Sequence, residues 1–285
     1  MRKTQLEKRA KDVGAQAGRL VLMAIIMIFM VFPFLVCVSN TFKPEGEINS
    51  MTPSLIPKQF TFEHVEELFG DPNFLLSIKN SVFLALVTMV LAVIISLPAA
   101  YVIARAASKK VGKVAQAWIV LSQMIPVITL TVPLYLILKK FGLTDTMPGI
   151  VLVYVIWSVP TTLWLLRGFI SGFPVALEEA AKIDGCNIFT MFFRIMLPNI
   201  LPGVLTAAIF AFIGAWNEFF FALCFMKSPE NMTLSMTLYT YIGLAGQSRD
   251  GMLAAASLFS TLPGLVLFGF FQRYYVSGMT DGAVK

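Results

Sequence analysis

Between Glu179 and Pro198 the chain reads EAAKIDGCNIFTMFFRIMLP. Two short helical runs flank a turn. Just upstream, Pro174 suits the first turn of a helix, where its missing N–H costs nothing. Glu178 and Glu179 follow, and acids are favoured near a helix N-terminus because they meet its partial positive charge. Asp184-Gly185 is a stop, since glycine takes the left-handed conformation that ends helices. A positive φ is therefore predicted at Gly185. Asn187 can cap a second helix, Ile188 to Met196. Pro198 and Pro202 predict an irregular run into whatever follows.

Outward from this loop the chain turns apolar on both sides. Over 285 residues it is 57% hydrophobic and 13% charged, with a mean hydropathy of +0.78. That composition excludes an ordinary soluble domain and points to an all-α polytopic membrane protein. Six spans long enough for a bilayer can be read: Leu20–Val38, Ser81–Ala104, Val114–Leu138, Met147–Leu166, Gly203–Met226 and Gly251–Gln272. Backbone groups in lipid must pair within their own segment, so spans of this length are helices. The domain map is then a tail at 1–19, a six-helix domain at 20–272 and a second tail at 273–285. The basic start precedes an apolar run with no clear small-residue cleavage site, which reads as an uncleaved first span.

Charge sets the predicted orientation. With the N-terminus inside, the inner segments hold fifteen of the 22 Lys and Arg and the outer segments seven. This asymmetry favours both termini in the cytoplasm and puts the 174–198 loop on the same side. The net charge of +6 is thus a topological signal, and no nucleic acid is implied. Cys37, Cys186 and Cys224 show no pairing or metal spacing.

The first outer segment, Ser39 to Leu76, is the longest; the 39–76 loop is kept extended in its first half by Pro44, Pro53 and Pro57. Phe62, Val65, Leu68 and Phe69 then fall at helical spacing, with Glu63, His64, Glu66 and Glu67 assigned to the polar face. It reads either as a docking surface for an extracytoplasmic partner or as a solvated loop. Span three carries Gln123, Pro126, Thr129 and Pro133, compatible with a pathway-lining helix or with ordinary kinked packing. Span five holds the one acid within a span, in Trp216-Asn217-Glu218. A carboxylate there is expected to line a cavity or a subunit interface, the other reading being a side chain that snorkels to the outer surface.

The loop matches a specific pattern: E-A-A, three residues, G, nine residues, I-x-L-P. Glu179, Ala180, Ala181, Gly185, Ile195, Leu197 and Pro198 fill every position. In this the chain resembles the permease subunits of ABC importers. The span-five run from Phe212 to Leu223 and the tail Gly278-Met-Thr-Asp-Gly-Ala-Val-Lys285 are similar to carbohydrate permeases of the maltose type, with Met279 and Asp281 the departures in the tail. The resemblance implies a type I importer fold in a bacterial cytoplasmic membrane. It implies that the loop is a coupling helix docking on an ATPase through Glu178, Glu179, Ala180, Ala181, Asp184, Gly185, Ile195, Leu197 and Pro198, the alanines letting the partner approach. It implies a second, homologous permease, two ATPase subunits holding ATP and Mg, and an extracytoplasmic substrate-binding protein. The tail, with Gly278, Thr280, Gly282 and Lys285, would reach towards the ATPase or remain a solvated terminus.

No phosphate-cradling G-x-x-x-x-G-K-[ST] loop and no metalloprotease or hydrolase motif occurs. A sugar or oligosaccharide is the expected cargo, with a glycerol phosphate ester or an acidic oligosaccharide as the alternative. An ion-coupled secondary transporter and a membrane enzyme are the rival classes, and each would need clustered ionisable groups within spans.

Overall fold

The structure, a computed structural model, describes the backbone of residues 2–106, 109–243 and 249–283; side chains are described except in 1–15, 107–109, 111, 244–248 and 271–285. Among the described residues every regular element is helical. In order these are α1 (Arg2–Thr41), α2 (Glu45–Ile48), α3 (Glu63–Gly70), α4 (Pro72–Ala104), α5 (Lys109–Met124), α6 (Val127–Lys140), α7 (Met147–Gly172), α8 (Val175–Ile183) and α9 (Ile188–Thr190). A π-helical turn, Met191–Met196, leads into α10 (Leu197–Trp216), followed by α11 (Phe220–Phe225), a 3-10 turn (Pro229–Asn231), α12 (Leu234–Tyr241) and α13 (Asp250–Ala283).

Among the described residues five stretches are long and apolar enough to cross a membrane: Gln16–Thr41, Pro72–Ala104, Met147–Gly172, Ile188–Trp216 and Asp250–Phe270. The expected third span is not one rod. Its halves, α5 and α6, meet at a bend of 93°. The break falls at Pro126, which lacks an N–H and disfavours helix in the residue before it; Pro126 itself is extended, at φ −60° and ψ 133°. The expected fifth span also breaks. α10 ends at Trp216, and the chain becomes helical again only at Phe220.

The chain falls into two compact units, Met1–Asp71 with Tyr241–Thr261, and Pro72–Thr240 with Leu262–Lys285. In the second unit α4, α7 and α10 pack pairwise. One stripe of α4 explains how they come so close. Ser77, Ser81, Ala85, Thr88, Ala92, Ser96 and Ala100 recur every three or four residues, and all are buried. Small side chains let helix backbones approach where lipid supplies no hydrophobic drive to associate. Below this stripe, Leu163, Leu166 and Ile170 of α7 join Ala181, Met191, Met196 and Ile200 in one apolar core. Away from that core, Asp145, at φ +57°, staples the α6–α7 connection to the segment after α11. Its carboxylate accepts from the N–H groups of Lys227 (2.9 Å) and Ser228 (3.1 Å) and from the Ser228 hydroxyl.

In the first unit the helix foreseen around Phe62–Phe69 is α3, with Leu68 buried. His64 does not share the polar face with the glutamates. It is buried, and its Nε2 donates to the carbonyl of Lys43 at 2.9 Å. Gly251 makes room for it, since a Cβ there would stand 2.1 Å from Nε2. Glu67 pairs instead with Arg249.

Candidate functional site

The 174–198 loop is built from local instructions. Pro174 precedes α8 as its N-cap, one residue ahead of the expected first turn, at φ −62° and ψ 124°. Asp184 closes the helix and Gly185 follows at φ +81°, the predicted left-handed turn. Its N–H reaches the carbonyl of Lys182 at 3.1 Å, and the Cys186 N–H reaches that of Ala181 at 2.9 Å. These two bonds define a Schellman end, which satisfies carbonyls that a helix otherwise leaves open. The Asn187 side chain then accepts from the Thr190 N–H at 2.8 Å, which is the expected cap.

The second helical run is not a separate element. Ile188 begins a continuous helix that passes through the π turn into α10 and runs to Trp216. Pro198 and Pro202 sit just beyond that turn. Two prolines four residues apart remove two ladder donors in succession, and a wider turn is how the helix absorbs such a loss.

The faces of α8 separate the predicted docking residues. Glu178 is only 3% exposed and Ala181 is buried in the apolar core, so neither is available to a partner. Glu178 pairs instead with Arg105, whose Nε donates to Oε1 at 2.7 Å. Tyr101 donates to Oε2 at 3.3 Å. The guanidinium also donates to the carbonyl of Phe173 at 2.9 Å. The small size of Ala181 serves its own core, where its carbonyl is taken by Cys186. Glu179, Ala180, Asp184 and Gly185 remain on the outside, together with Pro198; Ile195 and Leu197 are half-buried.

Sequence reasoning missed the apolar members of this outer face. Ile183 is 87% exposed and Phe189 is 71% exposed, on either side of the Gly185 turn, with Leu177, Ile188 and Phe193 also exposed. Clustered apolar side chains on an otherwise polar turn mark a binding surface. A signal was present, because Ile183 falls off the 178–181 inward face when α8 is drawn as a wheel.

The pathway candidates lie at the two helix breaks. Gln123 stands in the last turn of α5, accepts from the Thr161 hydroxyl of α7 at 3.3 Å and is exposed; Thr129, also exposed, opens α6. Asn217 ends α10 and is exposed. Glu218 is half-buried, and its carboxylate accepts from the N–H groups of Phe221 at 2.7 Å and Ala222 at 3.2 Å, which restarts the chain as α11. The side chains of Gly278, Thr280 and Gly282, and all of Lys285, lie outside the described residues; the backbone of α13 runs through to Ala283.

Residues 96–281, which include the loop and both breaks, match the family described as binding-protein-dependent transport system inner membrane component. The chain belongs to that family. This permease is 42% identical over 230 residues to a putative ABC transporter permease protein of Streptomyces antibioticus, covering 81% of this chain and 100% of that one. It is 34% identical over 264 residues to the diacetylchitobiose uptake system permease protein DasC of Streptomyces coelicolor, covering 92% and 94%. Among solved structures, a chain of a bacterial ABC transporter importing the acidic polysaccharide alginate superimposes with a TM-score of 0.78 at 20% identity, covering 91% of the permease and 95% of that chain. The same kind of transporter in complex with an alginate pentasaccharide-bound periplasmic protein gives 0.68 at 20% identity, covering 92% and 94%. These likenesses confirm the ABC importer permease fold.

Proposed function

We propose that the permease is the maltose-type subunit of a carbohydrate importer and that loop 174–198 is its coupling element. Both termini face the cytoplasm, as the charge asymmetry favours. The permease pairs with a homologous second permease, receives sugar from an extracytoplasmic binding protein, and docks on one of two ATPase subunits that hold ATP and Mg. It has no ATPase site of its own. ATP binding closes the ATPases and moves the loop, and the spans follow as a rigid body from inward-facing to outward-facing.

The observation that carries this reading is the exposed apolar turn, Ile183 and Phe189 on a Schellman end, at a place where seven residues match the importer pattern. The relatives support a sugar, since one of them serves diacetylchitobiose uptake.

Gly185→Val tests it. A β-branched residue at φ +81° is strained by about 1–2 kcal/mol and shifts the turn. The variant inserts and assembles, because the spans are untouched. In reconstituted vesicles its sugar uptake falls sharply, and its ATP hydrolysis no longer responds to loaded binding protein. Wild-type uptake and wild-type stimulation in this variant would refute the assignment.

A further inference from the structure

We propose that Arg105 is a positioning residue for transport: acting through Glu178, it clamps α8 to the ends of α4 and α7, so that movement of the loop reaches those helices without slack. This rests on the reading of the loop as coupling element.

The loop has two soft joints. One is Phe173–Pro174, where α7 has stopped and α8 has not begun. The other is Gly185. A loop free at both joints would swivel when pushed and pass little of the push to the spans. The second joint is closed by the Schellman bonds of Gly185 and Cys186. The first is closed from outside the loop. Arg105, the residue after α4, donates Nη2 to the carbonyl of Phe173 on one side of the joint at 2.9 Å. It donates Nε to Glu178 on the other side at 2.7 Å. One planar guanidinium therefore straddles the joint, and the fixed fork geometry of arginine suits two acceptors held at a set angle.

Tyr101, one turn earlier on α4, adds its hydroxyl to the same carboxylate. Its ring stands edge-on to Phe192 of the π turn, with centroids 5.7 Å apart. The ends of α4 and α7 and the helix α8 thus meet at one ion pair, and the π turn packs beside it through Tyr101. Glu178 is buried, with 4% of its side chain exposed, and Arg105 is largely covered at 16%, so the pair is turned towards the permease's own helices. A contact that ties packed elements together where a push arrives is the physical basis for passing displacement between sites.

The assay is the complete complex in vesicles, reading sugar transported per ATP hydrolysed. Arg105→Gln leaves ATP hydrolysis running but lowers that ratio by about tenfold. If Arg105→Gln does not accumulate, Arg105→Lys is read in the same way, and its single flexible ammonium restores only part of the ratio. The second arm puts Arg105→Cys and Glu178→Cys together in a chain with Cys37, Cys186 and Cys224 replaced by serine. Unbridged, this protein transports poorly; a short bis-methanethiosulfonate, which forms a disulfide with each cysteine and releases sulfinate, restores transport per ATP, and reductant removes it again. The proposal is overturned by a wild-type ratio in Arg105→Gln, by a loss of assembled complex with an unchanged ratio, or by a bridge that fails to restore transport. If Gly185→Val uncouples the complex but the bridge restores nothing, this inference alone fails. If Gly185→Val is also coupled normally, the underlying reading fails first.

Discussion

Loop 174–198 and the break at 217–219 both stop one helix and start another, and they do so by opposite means. In the loop the stop is a glycine at φ +81°, its bonds are all backbone within six residues, and the restart is a neutral Asn187 amide. In the break the stop is Asn217, whose N–H still reaches back to Ile213 at 3.0 Å, and the restart is a carboxylate. Glu218 spends both oxygens on the N–H groups of Phe221 and Ala222, and it also lies against the fully buried Tyr154 of α7. The loop end is exposed, so water can satisfy whatever the caps miss. The N–H groups at the break belong to the buried Phe221 and Ala222, where a donor left without an acceptor costs about 1–3 kcal/mol. A strongly accepting side chain is the local remedy, although withdrawing a carboxylate from water is itself expensive.

Alanine at the two caps should break this comparison if it is wrong. Glu218→Ala leaves two N–H groups without acceptors among buried neighbours, and we expect about 2–3 kcal/mol of destabilisation. Asn187→Ala, in the exposed loop, should cost about 1 kcal/mol. Thermal unfolding in detergent micelles reads both. Equal losses would mean that the break is as well hydrated as the loop.

A smaller effect sharpens the same point at a third, water-facing turn. Burial pushes the carboxyl of Asp145 up, but the N–H of Lys227, the hydroxyl and N–H of Ser228 and the amide of Asn231 outweigh it and bring it from the ordinary 3.8 to about 2. Its folded value is lowered, so its contribution is complete above pH 3.8 and is lost as the pH falls towards 2. Unfolding midpoints should therefore be insensitive to this staple from about pH 5 to 8 and decline in the acid range, and Asp145→Asn should remove that part of the decline. An unchanged acid profile in the variant would show that the staple does not hold the two connections together.

Where structure was written within a few residues, the sequence was readable. Gly185 and Asn187 act on neighbours two to four positions away, and their conformations follow from their side chains alone. Span breaks were harder. The run Phe219-Phe-Phe-Ala-Leu-Cys-Phe225 is apolar throughout, and apolarity carries no sign of a helix that has stopped. Pro126 announced a kink, but a proline alone does not specify an angle, and the bend is 93°. Glu178 looked like an ordinary acid at a helix start; its partner is 73 residues away. His64 seemed to belong with its glutamate neighbours, and only the missing Cβ of Gly251 explains its burial. The small-residue stripe of α4 was in plain view as a repeat of three and four, hidden because hydropathy averages over a helix and ignores its faces.

The central claim is that the outer face of the Gly185 turn meets the ATPase while the inner face holds the permease together. A photoreactive side chain placed at position 183, at 189 and, for contrast, at 181 in separate complexes tests it most directly. After confirming sugar uptake in each, illumination should join the permease to the ATPase from 183 and 189 and not from 181, because Ile183 and Phe189 are exposed and Ala181 is buried in its own core. A transport-competent complex that gave no ATPase adduct from either 183 or 189, or that gave one only from 181, would contradict the account.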